Sequence, residues 1–199
     1  MNSVKADFFY RKPLKKGESK PNFGLAEPDP QRPDHKSFER EVINARSKAT
    51  SFKREGFKLL NHKSSVEDFY DDQSVASAYY LEMQELAKKE SSADEVYIVT
   101  HITRTELESQ KGKRLGAHRL VHNDFTPNFS QTLKPIIENT TFTPSKISVF
   151  NLWRRFDEDG LDAPFAVCDS STVSEQELIP TDLFNYLDGE KGFTVEIYQ

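Results

Sequence analysis

Apolar residues recur at three- and four-residue steps in one stretch of this chain and at strand-like spacing in several others. That contrast predicts an α+β fold. The helical stretch is Ala76, Tyr79, Tyr80, Met83, Leu86 and Ala87, one stripe of an amphipathic helix. Acidic residues lead into it over 64–72 and Lys88-Lys89 close it, the order that the helix dipole favours. Its aromatic and methionine stripe reads as core. A second pattern, Phe38, Val42, Ile43 and Ala45 among charges, predicts a modest helix over 35–50. Runs rich in Val, Ile, Phe and Tyr predict strands at 56–62, 95–101, 146–153, 164–168 and 193–198. The segment 104–116 is charged, glycine-containing and aperiodic, which predicts a mobile loop able to act as a lid. Residues 127–139 predict a short helix with Leu133, Ile136 and Ile137 inward. Closely spaced strands after one long helix predict an antiparallel sheet or barrel in the second half.

The first 34 residues follow neither period. Asp7-Phe8-Phe9-Tyr10 is an aromatic patch, and Pro13, Pro21, Pro28, Pro30 and Pro33 follow it. This predicts an extended arm over 1–34, anchored by Phe8, Phe9, Tyr10 and Phe23, packed on a single domain of 35–199 or on a partner.

Composition narrows the classes. At 199 residues the chain is long enough to bury a core, and its 15 Phe and 7 Tyr supply large burial where aliphatics are sparse. A net charge of −5 argues against nucleic acid as the main partner. The single cysteine, Cys168, excludes an internal disulfide and fits a reducing compartment. No apolar run approaches a membrane span and the N-terminus lacks a signal-peptide core, so the expectation is a cytoplasmic protein with no membrane partner.

Candidate chemistry centres on His118-Arg119-Leu120-Val121-His122-Asn123-Asp124-Phe125-Thr126. On a strand, His118, Leu120, His122 and Asp124 share one face. His122 and Asp124, at i and i+2, can chelate a divalent metal and make two corners of the 2-His-1-carboxylate facial triad. They can equally form a hydrogen-bonded pair at a strand end. Freed from metal, the same two groups form an acid–base pair.

Six further stretches set this motif in context: Asn151-Leu152-Trp153-Arg154, Asp162-Ala163-Pro164-Phe165-Ala166-Val167-Cys168-Asp169, Leu178-Ile179-Pro180-Thr181-Asp182-Leu183, and the opening segments Asp7–Tyr10, Asn22–Leu25 and Gly56–Leu59. In this order and spacing the chain resembles the hydroxylase/desaturase family that includes the cephalosporin 7α-methoxylase accessory chain and the fungal gibberellin-desaturase-like proteins. The resemblance implies an incomplete or modified double-stranded β-helix, a cupin-like jelly roll with flanking helices. It also implies Fe(II)/2-oxoglutarate-dependent oxidation of a small molecule of secondary metabolism. His122 and Asp124 would then be iron ligands, and Thr126 would support the strand end beside them. Arg154 would hold a carboxylate of substrate or co-substrate, with Trp153 and Asn151 lining the same site. For Arg154 the competing reading is a salt bridge to Asp169 or Asp162.

The chain also departs from the family. Relatives continue past Gly192–Tyr198, where a second iron-binding histidine and an arginine for 2-oxoglutarate are expected, and no histidine follows His122 here. Arg155 stands where relatives commonly have proline. His118, His101 and His62 are the stand-ins for the missing ligand, each also suited to a surface or capping role. A shortened relative would instead be a non-oxidative isomerase or cyclase, a binding protein, or an accessory subunit. An open sheet would call for a homodimer or a catalytic partner chain to cover its edges.

Overall fold

The aromatic run near the N-terminus forms one half of an antiparallel ribbon. In the computed structural model, which describes residues 3–24, 33–126, 133–138, 140–141, 143–156, 164–186 and 190–197, strand β1 (Ser3–Arg11) pairs with β3 (His35–Ile43). Phe8 faces Phe38 across the ladder, Tyr10 meets the Phe38 ring edge-on, and Lys5 pairs with Glu39 at 2.7 Å. The helix expected over 35–50 is therefore a strand along most of its length. Phe38, Arg40 and Val42 are half-buried while their neighbours are exposed, a period of two. A second aromatic backbone decides the conformation through cross-strand pairs, which outweigh local helix propensity. The ribbon's closed end is pinned by Arg11 and His35, both buried and both bonded to Asp34.

The described residues fall into two compact units. The first draws on Met1–Leu59, His118–Ile147 and Ala166–Gln199, and the second on Leu60–Ala117 and Ser148–Phe165. Besides the ribbon, the first unit holds a four-stranded sheet in the order β2 (Asn22–Gly24), β5 (Leu178–Tyr186), β6 (Glu190–Ile197), β4 (His122–Asn123). The β5–β6 and β6–β4 pairs are antiparallel and the β2–β5 pair is parallel. Pro180 is tolerated in β5 because β2 pairs only with Asp182, Leu183 and Phe184, so the strand has one neighbour where the proline lies. The strand expected at 193–198 is β6, begun earlier, with Tyr198 outside the described residues.

The second unit is built on the expected long helix, with one difference. The helix starts as α1 (Asp72–Ser74), widens into a π turn over Val75–Tyr79 and continues as α2 (Tyr80–Ser91). Asp71 caps its start by accepting from the Gln73 N–H at 3.0 Å. A π turn inserts one residue and rotates what precedes it, so Val75, not Ala76, is buried with Met83.

The strands expected at 56–62, 95–101, 146–153 and 164–168 take part in no ladder among the described residues. Tyr97, Val99, Phe150, Leu152, Phe165 and Val167 stay exposed there. Alternation marks a segment suited to a half-buried strand, but a strand forms only where another backbone supplies donors and acceptors. The loop expected over 104–116 closes on itself. It carries α3 (Glu106–Ser109), Thr105 bonds to the Leu115 carbonyl at 3.1 Å, and the Glu106 carboxylate accepts from the Ala117 N–H at 2.9 Å. Of the helix expected over 127–139, the described part is α4 (Lys134–Glu138).

Candidate functional site

The backbone brings His122 to the edge of the sheet. Its strand β4 pairs with β6, His122 opposite Glu196, and the approach to it is braced by β1: the Val121 N–H donates to the Phe9 carbonyl at 2.9 Å. His122 Nδ1 lies 2.7 Å from the Leu120 carbonyl, which can only accept, so Nδ1 carries the proton. In the neutral ring the Nε2 lone pair is then turned to Asp124 Oδ1, 3.3 Å away. A lone pair and a carboxylate face each other favourably only with a positive charge between them. A proton there makes an ion pair, and a divalent metal makes a chelate.

A spacing of 3.3 Å admits either. Cis ligands about 2.0–2.2 Å from one divalent ion lie about 3 Å apart. A carbonyl holding the other ring nitrogen is also how metal-bound histidines are oriented. Two residues on, the buried Thr126 Oγ1 has no hydrogen-bond partner among the described residues. His118, expected two strand steps from His122, packs its ring on that of His122 with centroids 4.2 Å apart, because the backbone before β4 is not a regular strand. Among the described residues no three His, Cys, Asp or Glu side chains form a metal-holding group. For a metal, His122 and Asp124 would therefore supply two donors.

The second unit assembles a different constellation around Arg154. Its Nε donates to the Tyr79 hydroxyl at 3.0 Å, and its Nη2 donates to His62 Nδ1 at 2.6 Å and to the His62 carbonyl at 3.1 Å. Rings of Phe69 and Tyr79 lie against the guanidinium, with centroids 5.9 and 5.5 Å away. These partners are a phenol, an imidazole and a carbonyl, and among the described residues no carboxylate is bonded to Arg154. The salt bridge to Asp169 is not formed: that carboxylate accepts from Ser171 and caps a helical turn, which holds it below its ordinary range. Asp162 lies outside the described residues. Trp153 stacks on Phe165 with centroids 4.4 Å apart, both rings more than half exposed, and Asn151 is exposed beside them in sequence.

Sequence reasoning missed Tyr79 and Glu82, and it offered His62 as a stand-in metal ligand, not as a partner of Arg154. Tyr79 was read as core, yet its hydroxyl serves Arg154. The neighbouring Tyr80 hydroxyl lies 2.7 Å from His101 Nδ1, and His101 Nε2 faces Asp72 at 3.4 Å. His101 and His62 are thus spent on bonds within their own unit. The adjacent Tyr79 and Tyr80 are a local signal that could have marked this cluster.

Comparison with known proteins places the chain. A family model described as oxidoreductase/YMDC permease-like domain matches residues 8–199. The chain belongs to this family. Within the oxidoreductase/YMDC permease-like family, the resemblance to hydroxylase/desaturase proteins is borne out by individual relatives. The chain is 28% identical over 147 residues to the alpha-ketoglutarate-dependent dioxygenase phiK of Fungal sp., covering 69% of this chain and 53% of that one. It is 26% identical over 147 residues to the hydroxylase/desaturase CTB9 of Cercospora beticola, covering 63% and 44%. The chain spans about half the length of the curated relatives it matches. Its fold is similar to that of the iron and alpha-ketoglutarate-dependent endoperoxidase NvfI, with a TM-score of 0.68 at 21% identity over 100% of this chain and 76% of that one.

Proposed function

We propose that this chain forms the substrate-oxidising domain of an Fe(II)/2-oxoglutarate-dependent oxygenase acting on a small molecule. One observation carries the reading: His122 is held through Nδ1 so that Nε2 meets the Asp124 carboxylate at 3.3 Å. Iron bound there would supply oxidation of a substrate C–H bond at the expense of 2-oxoglutarate and O₂. His122 and Asp124 are its ligands, and the Leu120 carbonyl and Thr126 support them. Arg154 holds a carboxylate, with Trp153 and Asn151 beside it on the same segment. The finer architecture in this reading is a double-stranded β-helix. The arm of 1–34 is paired to a domain of 35–199 through β1, and the protein is cytoplasmic. A third iron ligand from a second chain fits the two-donor site.

The test is spectroscopic. Anaerobic addition of Fe(II) and then 2-oxoglutarate should produce a visible charge-transfer band and raise the melting temperature. Metal at a hundred times its Kd adds about 2.7 kcal/mol of stability. Asp124→Asn and His122→Ala should lose both signals while keeping the fold. An unmodified protein that shows neither band nor thermal shift overturns the reading.

A further inference from the structure

His62 is the least expected member of the Arg154 cluster, and its protonation state follows from the geometry. Arginine never accepts a hydrogen bond and does not give up its proton in proteins. The 2.6 Å contact from Arg154 Nη2 therefore requires a lone pair on His62 Nδ1, which makes His62 a neutral imidazole protonated on Nε2. That Nε2–H faces Glu82 Oε2 at 4.0 Å, and this buried oxygen has no hydrogen-bond partner among the described residues. Glu82 is itself fixed through Oε1 by the Ser65 N–H at 2.7 Å and the Ser65 hydroxyl. The charged and titratable groups facing His62 are thus Arg154 from 148–156 and Glu82 from α2, with the Tyr79 hydroxyl across the guanidinium.

The arrangement has two consequences. A half-buried guanidinium whose neighbours are a phenol, an imidazole, a carbonyl and two aromatic rings keeps its full positive charge for a ligand. Its orientation also depends on His62 remaining an acceptor. A second proton on His62 turns Nδ1 into a donor, sets two cations against each other and pulls the imidazolium toward Glu82.

We propose that Arg154 and His62 form one carboxylate receptor, with neutral His62 as the positioning residue that aims the guanidinium and with protonation of His62 as its release. This rests on the reading of Arg154 as a carboxylate anchor. It assigns His62 and Glu82 a role and gives the receptor a pH dependence of its own.

The experiment uses the full chain stripped of metal, with succinate and 2-oxoglutarate as probes. Binding is followed by calorimetry and by fluorescence of Trp153, the single tryptophan and the neighbour of Arg154. Affinity should fall about tenfold between pH 8 and pH 5, the scale of one lost hydrogen bond to a charged group. His62→Gln, whose amide offers an oxygen to Arg154 and an N–H to Glu82, should bind as the parent does at pH 8 and hold that affinity at pH 5. His62→Ala should bind weakly at both. If the parent binds neither probe at pH 8, the carboxylate-anchor reading fails and the inference with it. If the parent and His62→Gln share one pH profile, His62 has no positioning role while Arg154 stands as anchor. Imidazole nitrogen shifts of the parent give a check that needs no variant: a proton on Nδ1 of His62 at pH 8 overturns the proposal.

Discussion

At the residue scale, Glu82 shows how closely placed groups set one another's state. Burial pushes its carboxyl up, but hydrogen bonds from Ser65 and Ser64, with the His62 ring beyond, outweigh it and hold the carboxyl at about 2 against an ordinary 4.5. The folded state therefore favours the ionised form. The stabilisation is complete above about pH 4.5 and is lost as the pH falls toward 2. Glu82→Gln should cost about 1–3 kcal/mol in urea unfolding at pH 7, and that cost should shrink at pH 3. A variant equally destabilised at both pH values would show that the cost is packing and not charge. His122 and Asp124 were legible as a pair in the sequence because i and i+2 on a strand share a face. Only the Leu120 carbonyl, seen in space, says which ring nitrogen is turned to the carboxylate. His62 was legible as a candidate histidine but not as a partner of Arg154 and Glu82, since these lie far from it along the chain.

At the scale of elements, the long helix was readable and most strands were not. A helix satisfies its backbone locally, so the pattern from Tyr79 to Ala87 and the flanking charges suffice to find it. What they do not reveal is the π turn, which shifts burial from Ala76 to Val75. Strand patterns only nominate partners: 35–43 found β1 and became a strand, whereas 146–153 found none among the described residues. Tight turns carry a stronger sequence signature. Gly56 has φ +80, and a Cβ there would lie 2.8 Å from Ser170 Oγ, in a turn that Ser170 clasps through bonds to the Glu55 and Arg54 carbonyls. Gly17 has a similar φ of +87 with nothing within 4 Å. Gly17→Ala should cost about 1–2 kcal/mol from backbone strain alone, and Gly56→Ala about 2–4 kcal/mol because the contact adds to it. Equal losses in denaturant titration would mean that the Ser170 contact relaxes without cost.

At the scale of the whole molecule, the family was legible in the order of short motifs, and the division of labour was not. The His122–Asp124 pair belongs to one compact unit, and Arg154, His62 and Glu82 belong to the other. The motifs are scattered through the chain because each unit is assembled from discontinuous segments. The hydrogen bonds and ion pairs described above for each cluster lie within its own unit. Groups without shared partners contribute additively, within about 0.5 kcal/mol, whereas coupled ones deviate by about 0.5–3 kcal/mol. Asp124→Asn, Arg154→Lys and the double variant should therefore give additive unfolding free energies in metal-free, ligand-free protein. Asp124→Asn should abolish the metal-induced rise in melting temperature and leave succinate binding to the metal-free chain unchanged. Arg154→Lys should do the reverse, because an ammonium cannot reproduce the fixed guanidinium that bridges Tyr79 and His62. A coupling above about 1 kcal/mol without ligand, or loss of both signals in either single variant, would mean that the two clusters work as one structural element.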